Sequence, residues 1–430
     1  MADEGRQLFK IKLSMDHTTI DLPPDAVLRH PRPDLEKRIR EGSFDYGLIA
    51  LGKVAAQTSD NPLSARIESH TGELLVEKPV ERLSERRILD SVLVAASMAQ
   101  SFSGTEVNLG GFLRGPAGST LSELHRKYVA HSSEGHHVQR FRPKPVARSF
   151  VTVLFGSAEA IALQPLLFRE QGIDFGEWIY VCNSPDDAGA ALRLARMMSD
   201  LYDFTIVVIV MSDNVGFGAA NNIAVGHASS SSIYLVNPDV FPLPAHSAAV
   251  RDTLDRQGLG DKLWGGLLFY DDDTLMHGGM FIEQDLCFHR KGLNRSAAPA
   301  GSAPFGLLRV EHFDKGVPFD EARWMRPRVV PAVTGALMGF DRRPFERIGG
   351  FSVDYIYGHY EDADLSLRWA RQNGPVVIDP GLRLVHLEGQ GSRVRGEQYG
   401  AAAIVNRYLF SLRHGADVSA LPAPRELTPA

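Results

Sequence analysis

The feature that most constrains this chain is a fourfold alternation that begins at Ser149. Residues 150–155 form a continuous apolar run, and 158–171 have helical spacing. Residues 178–182 predict a second strand, and 187–201, rich in Ala, Leu and Met, a second helix. A third strand over 204–211, a helix over 217–226 and a fourth strand over Ser232–Val236 complete the series. Strands apolar on both faces must be covered on both, so their alternation with helices predicts an α/β fold with a parallel sheet. In such sheets ligands bind beyond the carboxyl ends of the strands, near the point where strand order reverses. Chemistry is therefore expected just after each strand.

The first 146 residues have a different texture. Leu8-Phe9-Lys10-Ile11-Lys12-Leu13 alternates like a half-buried strand, and 84–100 is helical with apolar Ile88, Leu89, Val92, Leu93 and Ala96. This predicts an N-terminal α+β accessory domain over 1–146, with no motif that carries chemistry. Its last stretch, 136–145, reads as an exposed linker on its charges and its prolines Pro143 and Pro145, with His136 and His137 solvated within it. The wound domain is then 147–395, and 396–430 a C-terminal helix and tail.

Composition removes several classes. Lys and Arg number 46 against 52 Asp and Glu, a net charge of −6, so no overall basic field points to nucleic acid. Two cysteines, Cys182 and Cys287, exclude a disulfide scaffold and fit a reducing compartment. No apolar run approaches the ~20 residues of a membrane span. The acidic start Met1-Ala2-Asp3-Glu4-Gly5 lacks the basic and apolar regions of a signal peptide, which predicts a cytoplasmic protein with at most peripheral membrane contact.

The polar clusters fall where the sheet predicts them. Asn214-Val215-Gly216-Phe217-Gly218-Ala219-Ala220-Asn221-Asn222 opens the third helix, and its glycines let backbone N–H groups approach a phosphate or base. A nicotinamide fingerprint fits poorly, because Asn221 stands where the third glycine belongs and the segment follows the third strand, not the first. Asn237-Pro238-Asp239 puts a carboxylate at the end of a buried strand, suited either to a hard cation or to a simple turn. His277 follows a predicted hairpin around the acidic turn Asp271-Asp272-Asp273 and reads as a core or an acceptor-side residue. The densest cluster is Gly358-His359-Tyr360-Glu361-Asp362-Ala363-Asp364, three acids at the start of an amphipathic helix; capping calls for one or two. Val385-His386-Leu387-Glu388-Gly389 ends a strand-like run with an imidazole.

Taken in order, these segments resemble glycosyltransferase family 2 with the GT-A fold, in particular its rhamnosyltransferase-like branch. The likeness rests on 214–222, Leu235-Val236-Asn237-Pro238-Asp239, Val333-Thr334-Gly335-Ala336, Gly349-Gly350-Phe351, Tyr360-Glu361-Asp362-Ala363-Asp364-Leu365 with Arg368, and 385–389. It covers about 149–392. The resemblance implies a Rossmann-like, mostly parallel sheet flanked by helices, and inverting transfer of a sugar from a nucleotide-diphosphate donor. UDP-, dTDP- and GDP-sugars are the donor candidates, and a carbohydrate or glycoconjugate in polysaccharide biosynthesis is the acceptor class. Asp362 matches the general base, with Glu361 beside it as an orienting group. Asp239 matches the last acid of the metal-binding Asp-x-Asp, Asn237 replaces the first, and His386 matches a histidine that completes the metal site in some relatives. Asn214, Asn221 and Asn222 match the nucleotide-lining segment, and Ser157 and Asn183 stand at the base-recognising end of the donor pocket.

The chemistry agrees with this assignment. A leaving diphosphate calls for a divalent cation, Mn²⁺ or Mg²⁺, and an imidazole ligand tilts the choice towards Mn²⁺. A single displacement needs one base for the acceptor hydroxyl. The rival reading is a decayed site that binds sugar nucleotide or glycan without transfer, for which Asn237 and the unusual Phe155-Gly156-Ser157-Ala158-Glu159 speak.

Overall fold

The computed structural model describes residues 112–256, 258–285, 307–387 and 397–418, with shorter stretches at 9–15, 18–22, 27–30, 47–50, 64–69, 74–79, 85–100 and 428–429. The chain divides into two units, Met1–Tyr128 with Gly292–Asn294, and Val129–Lys291 with Arg295–Ala430. In the first unit β1 (Phe9–Met15), β2 (Thr18–Leu22), β5 (Ser64–Ser69) and β6 (Leu74–Pro79) form an antiparallel sheet in the order β2-β1-β5-β6. β3 (Val27–His30) and β4 (Gly47–Ala50) pair separately, and α1 (Glu85–Gln100) packs against them. Leu89, Val92 and Leu93 of α1 are buried, the apolar face its spacing predicts.

The second unit is a mixed α/β layer structure. After α2 (Pro116–Glu134), which contains the point of division, come β7 (His137–Phe141), β8 (Ser149–Leu154), α3 (Ala160–Glu170), β9 (Glu177–Cys182), α4 (Ala188–Tyr202), β10 (Thr205–Val210), α5 (Phe217–His227) and β11 (Ser232–Val236). Then follow β12 (Val240–Pro242), α6 (Ser247–Leu254), β13 (Leu263–Phe269), β14 (Thr274–His277), β15 (Met280–Asp285), β16 (Leu307–His312), β17 (Val317–Pro318) and β18 (Arg328–Val329). The last elements are β19 (Leu337–Asp341), α7 (Arg342–Arg347), α8 (Glu361–Gln372), β20 (Val376–His386), α9 (Glu397–Val418) and β21 (Thr428–Pro429).

The four strands predicted from 149 onward form the parallel centre of the sheet, in the order β11-β8-β9-β10, with helices between them in sequence. All six residues of β9 are buried, as a strand covered on both faces requires. Trp178 anchors the core, stacked on Tyr180 and edge-on to Phe150 and Phe168. Its indole N–H donates to Thr152 Oγ1 at 2.9 Å, so the buried ring leaves no polar group unmet. Beyond β11 the sheet turns antiparallel through β19 to β13, and β20 runs parallel to β13.

One expectation is corrected. The stretch 136–145 is not a plain linker: β7 is an edge strand antiparallel to β10, pairing Phe141 with Ile206. Its Phe141 is buried while His137 and Arg140 are exposed, a short pattern that the prolines after it masked. His136 Nε2 lies 3.0 Å from His227 Nε2 and its Nδ1 meets the Ser133 carbonyl, so it is half-buried, while His137 is exposed. The C-terminal helix is present as α9 and packs on β15 and β16. The hairpin around 271–273 is present, with Leu268 opposite His277 and the three acids exposed. Among the described residues no helix is long and apolar enough to cross a membrane.

Candidate active site

Strand order reverses at β8. The chain steps outward from β8 to β9 to β10, then α5 returns it to β11 on the other side of β8. The reversal thus lies between the carboxyl ends of β8 and β11, the place where such sheets hold ligands. Phe155-Gly156-Ser157 follows β8, and Asn237-Pro238-Asp239 follows β11.

The turn after β11 leads straight into β12, whose Val240 pairs with His386 at the end of β20. The Leu387 N–H donates to the Asp239 carbonyl at 2.9 Å. This ladder joins residues 147 positions apart: His386 Nε2 lies 3.1 Å from Asp239 Oδ1. Both side chains are mostly buried, 9% and 13% exposed, and His386 Nδ1 is buried with no hydrogen-bonding partner. Asn237 is held by its backbone, its N–H donating to the Ala336 carbonyl and its C=O accepting from Gln164 Nε2 at 2.7 Å. Residues 388–392, which continue the histidine motif, lie outside the described residues.

Asp362 stands in the first turn of α8. Its Oδ2 accepts the Gly335 N–H at 3.1 Å, and its Oδ1 accepts the Ala363 N–H at 2.8 Å. Burial pushes this carboxyl above its ordinary range, against the pull of those two N–H groups and of His359 nearby. Gly335 has to be glycine, since a Cβ there would meet the Phe217 ring at 2.7 Å. The segment Thr334-Gly335-Ala336 thus touches both halves of the site, with the Ala336 carbonyl on Asn237 and the Gly335 N–H on Asp362.

The approach to α8 is strained. Tyr357, His359 and Tyr360 have φ of 59°, 77° and 71°, a left-handed region that costs non-glycine residues about 1–3 kcal/mol each. The Tyr357 carbonyl accepts the Phe217 N–H at 2.7 Å, and Gly216, at φ 83°, lies so close that a Cβ would come within 3.1 Å of the Tyr357 backbone. Strain of this kind persists where the surroundings over-determine it, which is typical of functional sites.

The three acids of this helix start have separate environments. Asp364 is fully buried and receives Arg368 Nε at 2.8 Å, Arg413 Nη1 at 3.0 Å, His414 Nε2 at 2.8 Å and the Tyr355 hydroxyl at 3.2 Å. Burial would raise its carboxyl, but His414, Arg368 and Arg413 outweigh that and hold it well below the usual range. It is an internal ion-pair hub between α8 and α9. Glu361 is 6% exposed, one position before Asp362.

The asparagines predicted to line a nucleotide are largely tied to the backbone. Asn183 donates to Asn214 Oδ1 at 2.8 Å and accepts the Val215 N–H, while Asn214 accepts the Gly216 N–H. Asn221 donates to the Phe217 carbonyl one turn back. Asn222 takes both the N–H and the C=O of Phe351, each at 2.9 Å. Ser157 keeps a buried Oγ without a partner beside the reversal point. His277 is fully buried with Nδ1 2.8 Å from His312 Nδ1, and burial lowers its basicity well below the ordinary histidine range. Sequence reading missed Asp187, whose Oδ2 accepts the Gly156 N–H at 3.0 Å, and Asn406 of α9. For Asn406 the available signal was a lone amide in the apolar run Ala403-Ile404-Val405-Asn406-Arg407-Tyr408-Leu409-Phe410.

No family model and no curated protein sequence matches this chain. Among solved structures the chain is similar to GalNAc-T7 with UDP, GalNAc and Mn²⁺, at 14% identity over 65% of this chain, with a TM-score of 0.41. The match covers 52% of that chain, so this protein spans about half its length. It is also similar to the mannosyltransferase PcManGT from Pyrobaculum calidifontis in complex with GDP-Man and Mn²⁺, at 14% identity, 78% and 88% coverage and a TM-score of 0.37. S. aureus TarS 1-349 matches at 11% identity, 63% and 73% coverage and a TM-score of 0.35.

Proposed function

We propose that this chain transfers a sugar from a nucleotide-diphosphate donor to a hydroxyl acceptor with inversion at the anomeric carbon. The observation that carries this reading is the pair Asp239 Oδ1 and His386 Nε2, 3.1 Å apart beside the reversal of strand order. This carboxylate oxygen and imidazole nitrogen would together hold one divalent cation, and the mixed donor set favours Mn²⁺ over Mg²⁺. Such a cation, when bound, neutralises charge on the leaving diphosphate.

The chain's own contribution to the chemistry is Asp362. Its two oxygens are oriented by the N–H groups of Gly335 and Ala363, and each keeps a lone pair for an acceptor hydroxyl. As the acceptor oxygen bonds to the anomeric carbon, the bond to the phosphate oxygen breaks, its electron pair leaves with the diphosphate, and the hydroxyl proton passes to Asp362. The raised carboxyl makes Asp362 a stronger base than an exposed aspartate. Ser157 and Asn237, at the same strand ends, are the donor contacts, and Asn183, Asn214, Asn221 and Asn222 shape the loops around them.

A second reading, binding of sugar nucleotide without transfer, has one observation in its favour. Among the described residues no group of three His, Cys, Asp or Glu gathers to hold a metal, and Asn237 stands where a second acid would strengthen the grip. Incubation with UDP-, dTDP- and GDP-sugars, Mn²⁺ and a panel of sugar acceptors separates the two. The proposal expects nucleotide diphosphate released together with a product of inverted configuration. Tight donor binding with neither release nor product would favour the second reading.

A further inference from the structure

We infer that Asn406, on the C-terminal helix α9, is the positioning residue that fixes the strained loop before α8 and so aims Asp362. This rests on the reading of Asp362 as the base.

Asn406 is fully buried. Its Oδ1 accepts the Ile356 N–H at 2.9 Å. Its Nδ2 donates to the carbonyls of Ile356 at 2.9 Å, Gly358 at 2.6 Å and His359 at 3.3 Å. One amide thus grips the loop at its entrance and its middle, as a neighbouring peptide group would. The gripped residues flank the left-handed Tyr357 and include the left-handed His359, and Tyr360, also left-handed, caps α8 two positions before Asp362. On the other side the Tyr357 carbonyl is held by the Phe217 N–H. Three non-glycine residues in an unfavourable region relax unless such contacts restrain them. Without the Asn406 side chain the loop loses these hydrogen bonds to α9 while Tyr360 still packs on Phe410, and relaxation of the left-handed residues shifts the first turn of α8. Displacing a reacting group by about 1 Å costs on the order of 10²-fold in rate.

Ser411 supplies a control on the same helix. It is buried, donates to the Arg407 carbonyl and accepts the Leu308 N–H, and its contacts do not include the loop. The experiment follows hydrogen exchange at the Ile356 and Phe217 amides in the full-length protein, in Asn406→Ala and in Ser411→Ala. Alongside, it measures turnover of UDP-, dTDP- and GDP-sugars, the affinity for each nucleotide diphosphate with Mn²⁺, and Tm. In Asn406→Ala, exchange at both amides is expected to rise at least about tenfold, since that opening no longer breaks the Asn406 contacts. Turnover should fall by about 10²-fold with nucleotide affinity within about threefold of the parent. Ser411→Ala should lower Tm and leave loop exchange and turnover at parental values.

Unchanged exchange in Asn406→Ala overturns the proposal, whatever the turnover. Faster exchange with parental turnover overturns it too, and an equal loss of turnover in Ser411→Ala reduces Asn406 to a general structural role. A parent protein that turns over no donor instead defeats the reading of the site, and exchange alone then decides whether Asn406 fixes the loop. If Asn406→Ala does not fold, Asn406→Ser, which retains one hydroxyl, is read by the same criteria.

Discussion

The loops after β9 and β10 and those around β11, β19 and β20 use polar residues in opposite ways. After β9 and β10, Asn183 and Asn214 bond each other and the backbone of 215–216, and Asn222 clamps Phe351. Near β11, β19 and β20 the side chains of Asp239 and His386 meet each other and that of Asp362 accepts backbone N–H groups, and the proposed function gives all three a ligand to act on. Both sets look alike as sequence, short polar clusters after apolar strands. The difference lies in what surrounds them: loops that must fold back over a doubly covered sheet need internal amides, because their buried peptide groups have no water to turn to.

The largest effect is expected around β11, β19 and β20. Asp362→Asn keeps shape and a hydrogen-bonding oxygen but removes the base, so kcat should fall by about 10²–10⁴-fold with nucleotide affinity retained. Because burial raises the Asp362 carboxyl, the acid limb of the parent's pH–rate profile should lie above the ordinary aspartate value of about 3.9 and vanish in the variant. Parental turnover in Asp362→Asn would remove the base assignment and with it half of the contrast.

Asp364→Asn should act on stability instead. It leaves Arg368, Arg413 and His414 without their buried partner, a loss of about 3–5 kcal/mol. The sign with pH follows from the lowered carboxyl: the unfolded state takes up protons first, so this contribution is intact above about pH 4 and lost as pH falls further towards the folded value. Acid titration of Tm should therefore be steeper below about pH 4 in the parent than in Asp364→Asn. Equal slopes would mean that the hub does not hold an ionised carboxylate.

A smaller effect tests the loops after β9 and β10. Asn222→Leu strands the N–H and C=O of Phe351, at about 1–3 kcal/mol for each buried group left unmet. Tm should drop while the affinity of the folded protein for nucleotide stays near parental. Weakened nucleotide binding at unchanged Tm would make Asn222 a ligand contact and blur the contrast.

Much of the fold was legible because the parallel block is built from local signals. Each of its strands is a continuous apolar run, and each boundary falls within a few residues of its expected place. The antiparallel block was less so: β7 is five residues long at an edge, and α9 joins the core through β15 and β16. At the site, the sequence pointed to Asp239, His386 and Asp362 as separate clusters. Their assembly depends on the β12–β20 ladder and on Gly335, contacts between distant segments that no local pattern encodes. The roles of Asn222 and Asn406 were illegible for the same reason, since an amide bonded to a distant backbone leaves no periodicity.

The central claim is that Asp239 and His386 hold one cation against a nucleotide diphosphate. The most direct measurement is the rise in Tm given by UDP, dTDP or GDP in Mn²⁺ and in EDTA, for the parent, Asp239→Ala and His386→Ala. A ligand that binds only the native state stabilises it in proportion to its occupancy, so at 100 times its Kd the gain is about 2.7 kcal/mol. The account predicts a rise with at least one nucleotide that is larger in Mn²⁺ than in EDTA, with the metal-dependent part lost in both variants. Equal stabilisation with and without metal in the parent, or a metal-dependent rise that survives both substitutions, would contradict it.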